Sequence, residues 1–271
     1  MTETHHSITQ GDILRRVLAT LTGLACTLAL ALTGMPDARA IVGGSPAAAG
    51  QFPFAVSVQK AGKHLCGGTV IGARSILTAA QCVDGATAGQ LHVRAGLRLD
   101  ATGPATQIAE VAQIVSHPDY RPKRKLNDIA VLKLMTPLKA KPATLPNADR
   151  TPTGKAIVAG WGATTEQYTL PEHRTGESGS SVLRWTEIPL TTDAQCKTGY
   201  GNNFILPGMI CAGNQSVGGK DACHGDAGSP LVQGTTVIGI ASWGHGCARP
   251  NHPGVYSAVS YFRSWIDTNT T

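Results

Sequence analysis

Residues 221 to 232, DACHGDAGSPLV, bring together two carboxylates (Asp221, Asp226), an imidazole (His224), a hydroxyl (Ser229) and a glycine-bearing turn. Such a set could serve acid–base or nucleophilic chemistry, but a serine hydroxyl attacks a carbonyl only when a base stands beside it. Ser229 is therefore expected to pad or cap its turn. His224, His245 and His252 lie close in sequence, yet their spacing fits no metal-ligand pattern, so each reads as a rim or surface residue. No two of Cys66, Cys82, Cys196, Cys211, Cys223 and Cys247 sit two to four residues apart, and a metal site is not expected.

The compartment follows from the first 40 residues. Arg15 and Arg16 precede an apolar run from Val17 to Leu32, and a small-residue site, Ala38-Arg39-Ala40, follows Gly34 and Pro36. This is the layout of a secretory signal peptide cut after Ala40. The run is broken by Thr20, Thr22, Gly23 and Thr27, and is short of the roughly 20 apolar residues that a membrane span needs. Cleavage would leave about 230 residues, enough for one large all-β domain or two small barrels. Cys26 departs with the leader, and the six remaining cysteines in an exported chain suggest three disulfides, for which six cysteines allow 15 connectivities. The leader carries as many acidic as basic residues, so the net charge of +6 is unchanged by its loss. Much of that excess lies in YRPKRKLND, 120 to 128, where 121 to 125 could track a polyanion; without interleaved aromatic residues a specific nucleic-acid site is not expected.

Short apolar or alternating segments fill the rest: FAVSVQ from Phe54, SILTAA from Ser75, LHVRAG from Leu91, DIAVLKL from Asp128, AIVAGWG from Ala156 and TVIGIASWG further on. Gly, Pro, Asn and Asp clusters separate them, which predicts an all-β barrel or sandwich. RTGESGSS at 174 to 181 reads as a surface loop, and LPNADRTPTGK at 145 to 155 as a midpoint between two halves. A helical period emerges only in SAVSYFRSWIDTN, where Val259, Phe262 and Ile266, with Trp265, share one face.

These elements hold motifs that together resemble the chymotrypsin/trypsin-like serine protease family. The motifs are IVGG at 41, CGGTVIGARSILTAAQC at 66 to 82, NDIAVLKL at 127, GWG at 160, KDACHGDAGSPLV at 220 and SWGHGCARPNHPGVY at 242, in family order from Ile41 to the terminal helix. The resemblance implies two six-stranded antiparallel β-barrels, one over about 41 to 150 and one over about 151 to 271, with a C-terminal helix and the cleft between them. It also implies the disulfides Cys66–Cys82, Cys196–Cys211 and Cys223–Cys247.

Residue by residue, the resemblance implies a damaged reaction centre beside an intact binding site. The catalytic acid survives as Asp128, but Gln81 stands where the family has its histidine base, and Ala227 where it has its serine. An amide does not titrate near neutral pH, so Gln81 cannot shuttle a proton, though its NH₂ can donate to Asp128. Ser229 occupies a family glycine. The backbone N–H groups of Gly225 and Ala227 can still form an oxyanion-type cradle. Asp221 falls at the floor of the primary specificity pocket, walled by Ser242, Gly244 and Gly254, and a carboxylate there favours Arg or Lys. Asp226 is the partner of the free Ile41 amino group, which signal cleavage itself would supply without a zymogen stage. GLRLDATGPATQIAE, at the family's calcium loop, offers only Asp100 and Glu110, so neither metal nor cofactor is expected.

The expectation is a secreted, monomeric homologue, extracellular or periplasmic, that binds a protein or peptide presenting Arg or Lys and does not cleave it. The rival expectation is an endopeptidase acting after Arg or Lys through a non-standard nucleophile. No membrane partner is expected.

Overall fold

The computed structural model describes residues 41–100, 106–166 and 179–270. The leader, 174–178 of the glycine- and serine-rich stretch and 101–105 of the candidate calcium loop lie outside these. After a two-residue strand β1 (Ser45–Pro46), six strands close on themselves: β2 (Ala55–Lys60), β3 (Lys63–Gly72), β4 (Ser75–Thr78), β5 (Leu91–Ala95), β6 (Gln107–Ser116) and β7 (Ala130–Leu134). Their order around the barrel is β2-β3-β4-β7-β6-β5, all pairs antiparallel. Alternation sets the faces: Leu91, Val93 and Ala95 of β5, and Ala109 and Val111 of β6, point into the interior.

The second half is built from β8 (Lys155–Gly160), β9 (Arg184–Pro189), β10 (Met209–Ala212), β11 (Pro230–Gln233), β12 (Thr236–Trp243) and β13 (Gly254–Ala258). They form one antiparallel sheet in the order β1-β9-β8-β11-β12-β13-β10, with β1 added at one edge. The edges meet: Leu190 bridges Ala212, and Thr191 N–H donates to Cys211 O at 3.0 Å and Gly213 N–H to Pro189 O at 2.8 Å. The six strands β8 to β13 thus curl back on themselves, and the two-barrel expectation holds. One apolar core joins the halves, since Trp161, Leu183, Val232, Ile240, Phe262 and Ile266 pack with the interior of the first barrel. The disulfides are Cys66–Cys82, Cys196–Cys211 and Cys223–Cys247, as the resemblance implies.

Two helices differ from the sequence reading. Helix α1 (Asp193–Tyr200) is not evident in the periodicity because it is eight residues long and buries only Cys196 and Tyr200. It is started instead by a capping box: Gln195 N–H donates to Thr192 Oγ1 at 3.2 Å, and Thr192 N–H to Gln195 Oε1 at 2.9 Å. The terminal helix α2 spans Arg263–Thr270, not the whole of 257 to 269. Ser257 and Ala258 belong to β13, where Ser257 pairs with both Ile240 and Met209, and sheet pairing prevails over helical period there. Val259, Phe262 and Ile266 are all buried as expected. No helix among the described residues is long and apolar enough to cross a membrane.

Candidate functional site

The 3-10 turn Ala80–Cys82 follows β4, and the Cys66–Cys82 disulfide pins it to β3. Gln81 projects from this turn toward Asp128, which precedes β7. Asp128 is completely buried and three donors converge on its carboxylate. Gln81 N–H reaches Oδ1 at 2.8 Å, Gln81 Nε2 reaches Oδ2 at 2.6 Å, and the Ser242 hydroxyl reaches Oδ2 at 2.5 Å. The Ser257 hydroxyl donates to the Asp128 carbonyl at 2.7 Å. Burial raises the Asp128 pKa above the ordinary carboxylate value, against the downward pull of Ser242, Gln81 and Lys125. Gln81 Nε2 also donates to Ser242 O at 2.6 Å, so both protons of the amide are used. Ser242, expected as a pocket wall, has its hydroxyl and its carbonyl engaged with this corner.

The turn carrying Ala227 is fastened to both barrels. Gly67 N–H of β3 donates to Ala227 O at 2.8 Å, and Gly228 N–H donates to Ala241 O of β12 at 2.8 Å. His64 bonds Gly225 O through Nε2 at 2.9 Å and Ser57 Oγ through Nδ1 at 2.8 Å. A carbonyl only accepts, so Nε2 carries the proton and the serine donates to Nδ1. That neutral ring agrees with burial holding the His64 pKa below its usual value. The backbone N–H groups of Gly225 and Ala227 have no acceptor among the described residues. Gly225 itself takes φ +91°, a conformation that glycine adopts without strain. Ser229 is fully buried, with its Oγ pressed against the space above Gly67 and Gly160 and bonded to nothing among the described residues. It lies inside the junction of the barrels, away from solvent.

Asp221, expected at the floor of the pocket, is 2% exposed. Its Oδ2 accepts from Ala248 N–H at 3.1 Å, but its Oδ1 has no partner among the described residues. The hydroxyl of fully buried Tyr256 has none either. Both groups border the space over Gly254, where a Cβ would fall 2.6 Å from Asp221 Oδ1 and 3.3 Å from Tyr256 Oη. A side chain at 254 would push against both groups. Burial pushes the Asp221 carboxyl up to about 7; the N–H groups of Ala248 and Ala222 oppose this and the neighbouring Asp226 reinforces it. Gly244, with Trp243, leads from β12 into the segment that the Cys223–Cys247 disulfide ties back to Asp221's turn.

Asp226 is also fully buried, and burial again pushes its carboxyl up to about 7. Gly162 N–H donates to its Oδ1 at 2.8 Å and Cys223 N–H to its Oδ2 at 3.0 Å. Ile41 is buried against Val158, Ile188 and Leu231, and the adjacent Val42 exchanges backbone hydrogen bonds with Asp221 at 3.0 and 3.2 Å. Ile41 has φ +61°, a strained value for a β-branched residue.

The remaining expected positions lie on the surface. Arg121, Lys123 and Arg124 are exposed on a hairpin-like turn bridged from Arg121 to Leu126, and Arg124 donates to Asn202 O at 3.2 Å. Asp100 pairs with Arg98 at 2.7 Å. Glu110 sits on β6 opposite His92. Cys223, His224 and Cys247 come together, but the two sulfurs form a disulfide, which leaves His224 the one free ligand of that group. Tyr256 and His64 are site residues that the sequence reading missed. Tyr256 had a signal, since period-2 alternation in GVYSA puts it on the same face of its strand as Gly254. His64 had none, because its partner Gly225 is 161 positions away.

The sequence was compared with known proteins. A family model described as Trypsin matches residues 41–266. The chain is 36% identical over 264 residues to "Trypsin beta" of Drosophila erecta, covering 92% of this chain and 97% of that protein. It is 37% identical over 257 residues to "Trypsin alpha-4" of Lucilia cuprina, covering 91% and 94%. To "Trypsin-1" of Astacus astacus it is 38% identical over 245 residues, covering 84% and 99%.

Proposed function

Because the chain belongs to the trypsin family of serine proteases across residues 41–266, we propose that it is a non-catalytic member that has kept the family's recognition of basic side chains. The observation that carries this reading is the contrast between Asp221 and the reaction corner. Asp221 Oδ1 and Tyr256 Oη are buried polar atoms without partners, and a buried acceptor left unpaired costs about 1–3 kcal/mol. A guanidinium or ammonium brought to that floor satisfies the carboxylate with a charge-assisted bond. In the reaction corner Gln81 cannot accept a proton and Ala227 offers no lone pair. Ground-state binding and transition-state chemistry use different residues, and only the second set is altered. The rival reading, cleavage through Ser229, is disfavoured by the complete burial of that hydroxyl.

The protein acts outside the cytoplasm, with a leader removed after Ala40. Three disulfides suit an oxidising compartment. The strained φ of Ile41 supports a chain that begins there, because an amino-terminal residue has no preceding carbonyl and the steric penalty vanishes. The freed ammonium would pair with Asp226 and lower the cost of its burial. Terminal sequencing of the secreted protein that starts elsewhere than Ile41 would remove this element.

The test of the main reading is calorimetry with benzamidine on the parent and on Asp221→Ala, alongside hydrolysis of an arginine ester. The parent is expected to bind and not to hydrolyse, and the variant to lose binding. Turnover abolished by a serine-directed phosphonate, or equal binding by both proteins, would overturn it.

A further inference from the structure

We propose that Gln81 makes the cleft selective for an arginine or lysine whose carbonyl continues into an amide, and against one that ends in a free carboxylate. This rests on the reading that Asp221 holds the basic side chain, and it adds which form of that residue is held. The orientation of the Gln81 amide is set by its surroundings. Its NH₂ faces two groups that only accept, the Asp128 carboxylate and the Ser242 carbonyl, both at 2.6 Å. A flipped amide would set oxygen against oxygen at both contacts. The backbone N–H of Gln81 is fixed on Asp128 as well, at 2.8 Å, so the residue is held at both ends.

The one polar atom left over is Gln81 Oε1. It takes no partner among the described residues, and Gln81 is only partly buried. The corner therefore offers an acceptor and no donor. The N–H groups of Gly225 and Ala227, unpaired among the described residues, offer donors on the turn that Gly228 ties to Ala241, the neighbour of Ser242 to which Gln81 donates. An amide matches both, with its C=O toward the paired N–H groups and its N–H toward Oε1. A carboxylate matches only the first. Its second oxygen carries no proton at neutral pH and meets Oε1, with buried Asp128 bonded to the same amide. Leaving two acceptors facing each other discriminates more strongly than a missing apolar contact does.

Calorimetry with three probes tests this: benzamidine, Nα-acetyl-arginine amide and Nα-acetyl-arginine, on the parent, Gln81→Ala and Gln81→His. The parent is expected to bind the amide at least about tenfold tighter than the carboxylate, which corresponds to one lost hydrogen bond. Gln81→Ala should narrow that ratio. Gln81→His, assayed at about pH 6 where an imidazolium donates, should narrow or reverse it. If benzamidine binds through Asp221 but the two arginine ligands bind equally, or if the ratio is the same in all three proteins, Gln81 does not set the preference while the pocket reading survives. If the folded parent binds no benzamidine, the pocket reading fails and this inference with it.

Discussion

Asp128 and Asp221 are both carboxylates sealed inside the molecule, yet they end in opposite states. Asp128 receives three hydrogen bonds on its two oxygens and a fourth on its own carbonyl. The carboxylate of Asp221 accepts from Ala248 N–H and keeps an oxygen without a hydrogen-bond partner among the described residues, and the nearby hydroxyl of Tyr256 likewise has none. A buried acid with both oxygens bonded serves the scaffold; one with a bare oxygen beside a glycine is left to accept from something else. The substitution at 81 explains how the first state arises, because the amide of Gln81 uses both its protons to staple Asp128 to Ser242. Around Asp128 the polar groups are tied to one another, and around Asp221 one oxygen is left untied.

The comparison can be broken most forcefully at the reaction corner. The triple change Gln81→His, Ala227→Ser and Ser229→Gly should raise hydrolysis of an arginine ester by on the order of 10³ or more over the parent, since triad loss in such enzymes removes about that much or more. A folded but inert triple variant would mean that the two regions differ in more than these three residues. Next in size, Asp221→Ala should weaken benzamidine binding by about 10- to 150-fold, the equivalent of roughly 1.5–3 kcal/mol for a charge-assisted bond. The two acids should also respond oppositely to the same substitution. Asp128→Asn sets an NH₂ against existing donors and should lower stability in denaturant titration by about 1–3 kcal/mol, whereas Asp221→Asn should leave stability near neutral pH unchanged or raised. Equal losses in both would erase the distinction.

Per unit of pH, the effect is about the size of the smallest of these. Asp221 is raised to about 7, so the folded protein binds protons there that the unfolded chain has already released. That group's contribution to stability is therefore greatest at acid pH and falls as pH rises from the ordinary carboxylate range through about 7. Benzamidine needs the carboxylate ionised, and its affinity should fall about tenfold per unit as pH drops below about 7. A flat affinity profile between pH 5 and 8 would show that Asp221 is ionised throughout and that its burial is better compensated than the geometry indicates.

Part of this contrast is legible from residue types alone. Gln81 and Ala227 cannot do proton transfer or attack in any fold, because an amide does not titrate near neutral pH and a methyl has no lone pair. The alternation of β5 and β6 and the turn chemistry between strands announce an all-β chain, because a strand with one buried face must alternate. The short helix α1 escaped that reading, since its cap is local but its burial depends on a sheet formed elsewhere. The first residues of the expected terminal helix went to β13 for a similar reason.

What the amino-acid sequence determined by itself is the inventory: which groups can donate, accept, ionise or cross-link, and the periods that sort them into strands. What only the tertiary structure decided is which of those groups are satisfied. Asp128 and Asp221 carry the same side chain, and nothing local to either tells that one would find Gln81, Ser242 and Ser257 while the other would face Ala248, Gly254 and Tyr256. Those partners come from residues up to 129 positions away. Hydrogen-bond satisfaction is a property of three-dimensional neighbours, and the closing of two barrels on one core chose them.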